Sequence, residues 1–316
     1  SKPSRILICA SGSRGDCQPY CALGLGLKQN GCEVKLFTNP EHRGLVINCG
    51  IEFESNGIDF KSAFLGDACN RAFQKNNFFA FLDVIGKLNS ENLKQSTERM
   101  LSVINEYKPD LCVFGTSHAL DVIWVPVATG IPATSIFLQR DCIVDVSKAP
   151  FGLPSLPCSL NRPIWSFIYS KYTRDVYSSL GDVFLDAHMG PEKKKLFPTG
   201  ADMMDLFSML PGYPQQFRKF IYVAIAMDER TIGGRREGVD PPWATYTGPL
   251  IVPQEKCIGS EFGNTTLHAM HKFLDSGQPP VYIGWGSVKC GSSKQMFLLA
   301  VRALYLAQQR GVVLGG

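Results

Sequence analysis

The sequence predicts an α/β chain: an open, doubly wound, Rossmann-like parallel sheet followed by the start of a second unit of the same kind. Three observations predict it. Short apolar runs of strand length alternate with stretches of helical periodicity. Glycine-bearing turns stand where an early and a late strand each pass into a helix. No apolar run reaches the ~18 residues that a membrane span requires, so the runs read as buried strands.

Taken in order, Arg5-Ile6-Leu7-Ile8-Cys9-Ala10 is apolar beyond its first residue and ends at Ser11-Gly12, as a parallel strand covered on both faces should be. Pro19 is placed in the first turn of the next helix, where a missing N–H costs no bond. Tyr20, Leu23 and Leu27 recur at helical spacing, Gly31 closes the helix, and Glu33 to Thr38 is the second strand. A β-α-β unit this short implies a right-handed crossover and a parallel pair. Asn89 to Tyr107 puts Leu93, Met100, Leu101 and Ile104 on one helical face. Lys108-Pro109-Asp110 ends it before a strand at Leu111 to Gly115.

Ala119 to Thr129 is expected as helix and Ala133 to Phe137 as strand. Pro150, Pro154, Pro157 and Pro163 predict a long irregular loop. Trp165, Ile168, Tyr172, Val176 and Leu180 then form an apolar helical stripe, read as core. Strands are expected at Phe220 to Met227 and Thr245 to Leu250, and a helix at His268 to Asp275. Val281-Tyr282-Ile283 opens a last strand-turn-helix, whose helix carries Phe297, Ala300, Val301, Leu304 and Tyr305; Val312-Val313-Leu314 begins another strand. The expected division is residues 1–250, a linker with a short helix over 251–280, and the opening of a second domain at 281–316. One β-α-β unit cannot cover both faces of its own sheet, so the second domain is expected to be cut short.

The 316 residues carry a formal charge of +4, too little at this length for a nucleic-acid groove. A hydrophobic content of 45% excludes a disordered chain. The eleven cysteines are odd in number, scattered and without a Cys-x-x-Cys pair, which predicts a reducing, cytoplasmic setting. The opening residues show no charged-then-apolar leader. His268 and His271 stand three apart with no third ligand nearby, so no metal is expected. Lys193-Lys194-Lys195 and Arg235-Arg236 read as exposed loop charge, with weak peripheral membrane contact as their alternative use.

Two loops could carry chemistry. In Ser11-Gly12-Ser13-Arg14-Gly15-Asp16, the glycines permit close backbone approach to a ligand. Asp16 falls where a carboxylate can cap a helix and face the crevice beyond the strand ends. The loop is not Gly-x-Gly-x-x-Gly, so a dinucleotide fingerprint is not supported. The Arg14-Gly15-Asp16 tripeptide, lying in a strand-to-helix turn, is not read as an adhesion signal. In the second loop, Gly284 to Gly291, Gly286 and Gly291 have P-loop spacing, but Ser292 stands where the lysine belongs. Backbone N–H groups and the Ser287 hydroxyl could hold a diphosphate there. His118, just beyond the Leu111 to Gly115 strand, reads either as a packed side chain or as part of a ligand pocket at the same edge as Asp16.

Gly12-Ser13-Arg14-Gly15-Asp16-Cys17-Gln18-Pro19-Tyr20, with Ala22 to Leu27 and Gly31-Cys32-Glu33-Val34, resembles the amino-terminal signature of sterol 3-beta-glucosyltransferases and related antibiotic glycosyltransferases of the GT-B superfamily. Pro280 to Val288 resembles the segment that opens the donor domain in that family, and Ala307 to Val312 the strand entry after it. Cys17, Cys32 and Trp285 depart mildly from the usual valine, histidine and phenylalanine, and Phe151 to Arg236 matches poorly.

The resemblance implies a GT-B fold in which residues 1–250 bind the acceptor and 281–316 begin the nucleotide-sugar domain. It implies an inverting transfer of a hexose, glucose by this likeness, from a UDP-sugar to a hydroxyl of a lipophilic acceptor such as a sterol. Asp16 would be the base; Gly12, Ser13, Gly286 and Ser287 would hold the donor; His118 would line the acceptor pocket. No tightly bound cofactor or metal is implied, the UDP-sugar being a co-substrate. The alternatives are a truncated, non-catalytic sterol-binding paralogue and, less favoured, a nucleotide-sugar epimerase of the same architecture.

Overall fold

The structure, a computed structural model, describes residues 2–59, 71, 78–118, 121–139, 148, 157–195, 221–237, 240, 245–257, 267–286 and 292–314. The chain divides into two compact units, one of Ser1–Phe60 with Ile85–Val252 and one of Lys61–Val84 with Pro253–Gly316.

The first unit runs β1 (Arg5–Cys9), α1 (Arg14–Gln29), β2 (Glu33–Thr38), α2 (Arg43–Asn48), β3 (Glu52–Ser55), α3 (Phe78–Tyr107), β4 (Leu111–Phe114), α4 (Asp121–Thr129), β5 (Ala133–Phe137), α5 (Cys158–Leu180), α6 (Asp182–Lys194), β6 (Ile221–Ile225) and β7 (Thr245–Tyr246). The opening residues of α3 fall in the second unit. The seven strands pair in the order β3-β2-β1-β4-β5-β6-β7. Every pairing is parallel, with Ile6 opposite Val34 on one side and Leu111 on the other. Strand order reverses between β1 and β4, and a crevice opens beyond the carboxyl ends of strands at such a switch. Leu7, Cys9, Phe37, Phe114, Trp124 and Phe137 are buried in one core with Met100, Leu101 and Ile104 of α3 and Val176 and Leu180 of α5.

Several boundaries differ from the sequence reading, each for a local reason. Helix α1 begins at Arg14, so Pro19 lies in its second turn and not its first. The N–H that Pro19 lacks would have met the carbonyl of Gly15, an exposed residue, so the loss falls at the solvent-facing end of the helix. Helix α3 begins at Phe78 rather than Asn89, because Phe78 to Leu88 is too densely apolar to show a single face. Strand β7 stops at Tyr246 instead of Leu250, since Gly248 turns the chain with φ +85°. Helix α5 starts directly after Pro157; residues 149–156 of the proline-rich stretch lie outside the described residues, as does Ala119.

The two basic clusters are not free loop charge. Lys193 and Lys194 close α6, where Lys194 Nζ lies 2.6 Å from Asp182 and 3.2 Å from Asp186. Beyond β6, the buried Asp240 carboxylate accepts from the Arg236 N–H at 2.7 Å, Arg236 Nε at 2.8 Å and the Tyr246 hydroxyl at 2.7 Å. Burial alone would raise this carboxyl, but those bonds and the guanidinium charge outweigh it and hold it below the usual carboxylate range. Arg235 lies 5.2 Å over the Tyr246 ring.

The second unit contains α7 (Leu267–Asp275), β8 (Val281–Ile283), α8 (Ser293–Leu306) and β9 (Gly311–Val313), with β8 and β9 paired in parallel. Ser292 caps α8: its Oγ accepts from Gln295 N–H at 3.2 Å, and Gln295 Oε1 accepts from the Ser292 N–H at 3.1 Å. His268 and His271 are exposed on α7. Among the described residues no helix is long and apolar enough to cross a membrane, and no group of side chains could hold a metal ion.

Candidate functional site at the carboxyl edge of the first sheet

The turn from β1 into α1 is fixed from both sides. Ser13 is the N-cap of α1 and Asp16 its third residue. Asp16 Oδ2 accepts the Ser13 N–H at 2.8 Å and the Ser13 hydroxyl at 2.7 Å. The carboxylate is exposed, at the helix end where unpaired N–H groups favour negative charge. It folds over Gly12, whose φ is +135° and on which a Cβ would stand 2.6 Å from Asp16 Oδ2. Gly12 donates its N–H to Asn39 Oδ1 at 2.8 Å, and its carbonyl lies 2.9 Å from His42 Nε2, which therefore carries the proton. Behind the turn, burial pushes the Cys17 thiol up to about 12 against the Thr38 hydrogen bond, which lowers it. It stays protonated at neutral pH and is no nucleophile.

A second chain of bonds crosses the same edge. Ser11 Oγ lies 2.8 Å from His118 Nε2 and accepts from Asn56 Nδ2 at 2.8 Å. His118 Nδ1 lies 2.7 Å from Asp121 Oδ2, and Asp121 Oδ1 accepts the Trp124 indole N–H at 2.9 Å. With Nδ1–H given to the carboxylate, Nε2 is the acceptor for the Ser11 hydroxyl. The order serine–histidine–carboxylate is that of a hydrolase triad, but the donors such chemistry needs are spent. The Ser11 N–H goes to Ser117 Oγ at 3.0 Å and the Gly12 N–H to Asn39. Neither of these two amides is left for an oxyanion, and the network ties loops together instead. Asp121→Ala would strand both the imidazole N–H and the indole N–H of the fully buried Trp124. Urea unfolding should show a loss of about 2–4 kcal/mol.

The structure therefore brings together Gly12, Ser13 and Asp16 on one turn, with His118 on the neighbouring loop. His118 is 9% exposed, its ring packed between Phe37 and Phe114 and both nitrogens engaged. Gly286 lies in the second unit just beyond β8, with φ +58° and open space where a Cβ would be. Ser287 lies outside the described residues. Sequence reasoning named Ser11 only as the opening of its loop and missed Asn39, Asn56 and Asp121. For three of them a signal was present: Ser11, Asn39 and Asn56 are the first polar residues beyond the carboxyl ends of β1, β2 and β3, where the fold class already placed the crevice.

Residues 6–134 match the glycosyltransferase family 28 N-terminal domain. Glycosyltransferase GtfE of Amycolatopsis orientalis is 23% identical over 305 residues, covering 95% of this chain and 65% of that protein. Sterol 3-beta-glucosyltransferase UGT80A2 of Arabidopsis thaliana is 23% identical over 337 residues, covering 98% of this chain and 45% of that protein. The solved glycosyltransferase of kitacinnamycin superposes with a TM-score of 0.55 at 15% identity, over 99% of this chain and 65% of that one. The fold is that of GT-B glycosyltransferases, and such enzymes, sterol glucosyltransferases at low identity among them, are homologues of this chain. The chain spans roughly half to two thirds of the length of these relatives.

Proposed function

We propose that the first unit is the acceptor-binding domain of an inverting, UDP-sugar-dependent hexosyltransferase and that residues 281–316 open its donor domain. A hydroxyl of a lipophilic acceptor, a sterol in this reading, attacks the anomeric carbon of glucose while UDP leaves from the opposite face. Asp16 takes the hydroxyl proton. An alcohol is far too weak an acid to lose it to a carboxylate beforehand, so the proton moves as the new bond forms. Gly12 and Ser13 line the donor side. Gly286, Ser287 and their N–H groups hold the diphosphate and meet the charge that grows on it.

One observation carries the reading: an exposed carboxylate at the carboxyl edge of a doubly wound sheet, held in place through one oxygen. Both Ser13 bonds fall on Asp16 Oδ2, which leaves Oδ1 to receive a proton. The sterol glucosyltransferase among the relatives supports the choice of acceptor and sugar. Incubating the full-length protein with radiolabelled UDP-glucose and cholesterol should yield a β-glucoside from the α-linked donor. Release of an altered free sugar would point to epimerisation, and calorimetric binding of cholesterol without UDP-glucose to a lipid carrier; either defeats the proposal.

A further inference from the structure

Helix α5 carries one polar side chain that the fold does not account for. Asn161, in its first turns, is 0% exposed, and among the described residues neither Nδ2 nor Oδ1 has a hydrogen-bond partner. The other buried asparagines are used fully. Asn39 accepts from Gly12 and donates to the Ile58 carbonyl, and Asn56 donates to Ser11 and accepts from the Ile58 N–H. A primary amide taken from water without replacement bonds is costly, and such groups in native proteins nearly always have a partner.

The position of Asn161 follows from its helix. Lower on α5, the Tyr172 phenol is pushed up by burial and then by the Asp121 carboxylate, so this turn stands level with the start of α4. At its far end α5 passes into α6, whose last residues fold back: Lys194 reaches Asp182, and Lys193 donates to the Ala128 carbonyl near the end of α4 at 3.3 Å. Helix α5 thus runs from the level of the carboxyl edge towards the amino edge. Asn161 precedes Tyr172 by eleven residues, about 16 Å along the axis, so the first half of α5 rises past the carboxyl edge. Asn161 heads a stripe with Trp165 and Tyr169, whose rings stack at 6.1 Å and pack against the core of the first unit. Arg162, Lys171 and Arg174 are exposed on the other faces.

We propose that the Asn161 amide binds a second polar group, an uncharged hydroxyl or carbonyl, at the far end of an otherwise apolar acceptor. The inference deepens the acceptor reading above and rests on it. An amide three helical turns beyond the Asp121 level does not serve the hydroxyl that Asp16 deprotonates. It meets the opposite end of the molecule, and a sterol with its side chain is of that order of length. The group it meets is uncharged because the Asn161 amide is fully buried, whereas Arg162, Lys171 and Arg174, the charges nearest it on α5, are exposed.

The test compares 25-hydroxycholesterol with cholesterol, both delivered from cyclodextrin, against the purified chain and its Asn161→Leu variant, reading tryptophan fluorescence and melting temperature. The wild-type chain should bind the side-chain-hydroxylated sterol at least ~10-fold more tightly. N161L should bind both equally, with cholesterol affinity unchanged. Without ligand, N161L should melt higher by ~2 °C or more, because an unpaired amide has been replaced by an apolar side chain of similar size. A preference that survives in N161L, or its absence from the wild type while both sterols bind, removes the anchor and leaves the acceptor reading standing. A lower melting temperature for N161L means that an ordered water satisfies the amide, and this also overturns the proposal. If the wild-type chain binds neither sterol, the acceptor reading fails and the anchor with it.

Discussion

Asp16→Asn should lower the turnover of the full-length protein by ~10²–10⁴-fold, the usual contribution of a positioned base, with the Michaelis constants for donor and acceptor little changed. The substitution separates chemistry from architecture. Asparagine keeps a side-chain oxygen in place of Asp16 Oδ2, so the Ser13 N–H and hydroxyl, now at 2.8 and 2.7 Å, retain an acceptor and α1 keeps its start. What is lost is the negative charge at the helix end, worth roughly 0.3–1 kcal/mol of stability at an exposed site, and the ability to take up a proton. A variant that unfolds within about 1 kcal/mol of wild type yet turns over slowly would therefore locate the defect in the reaction. Wild-type turnover at saturating substrates would remove Asp16 from the role of base. Asp16→Ala is the less informative variant, because it removes the cap and the charge together.

The sheet was legible in the sequence because its inner strands are largely buried, and short apolar-rich runs between turn residues mark them even where polar residues interrupt, as in Glu33–Thr38 and Ala133–Phe137. Arg5–Cys9, Glu33–Thr38 and Ala133–Phe137 were all read within a residue of their limits. Helix ends were less legible where the cap is a side chain pairing back on itself. Ser13 and Asp16 start α1 five residues before the proline that seemed to mark its first turn. The candidate site was half legible. Asp16 stood out as a carboxylate in a glycine-bearing turn, whereas its surroundings come from four separate loops. Nothing local links Ser11 to Asn56 or His118; only the strand order 3-2-1-4 sets those residues side by side. Asn161 was invisible for the opposite reason. A single asparagine in an amphipathic helix signals nothing until its burial and its lack of partners are known.

Gly12→Ala should be more damaging than its one added carbon suggests. Two penalties combine at this position. With φ at +135°, an L side chain pays for a backbone conformation that only glycine adopts readily. The new methyl would also stand 2.6 Å from Asp16 Oδ2 and 2.9 Å from its Cβ and Cγ, well inside contact distance. Neither side can easily give way. Gly12 is held by Asn39 through its N–H and by His42 through its carbonyl, while Asp16 is tied to Ser13. Urea titration should show a loss of about 2–4 kcal/mol. Turnover should fall further than stability does, since a reacting group displaced by about 1 Å can lose ~10²-fold. Gly15→Ala supplies the control. Gly15 lies within α1, and its added methyl would meet only Ser13 Oγ, at 3.7 Å, so the gain in helix propensity should leave that variant as stable as wild type or slightly more so. Equal tolerance of alanine at both glycines would show that the close packing of Asp16 on Gly12 is not what positions the carboxylate.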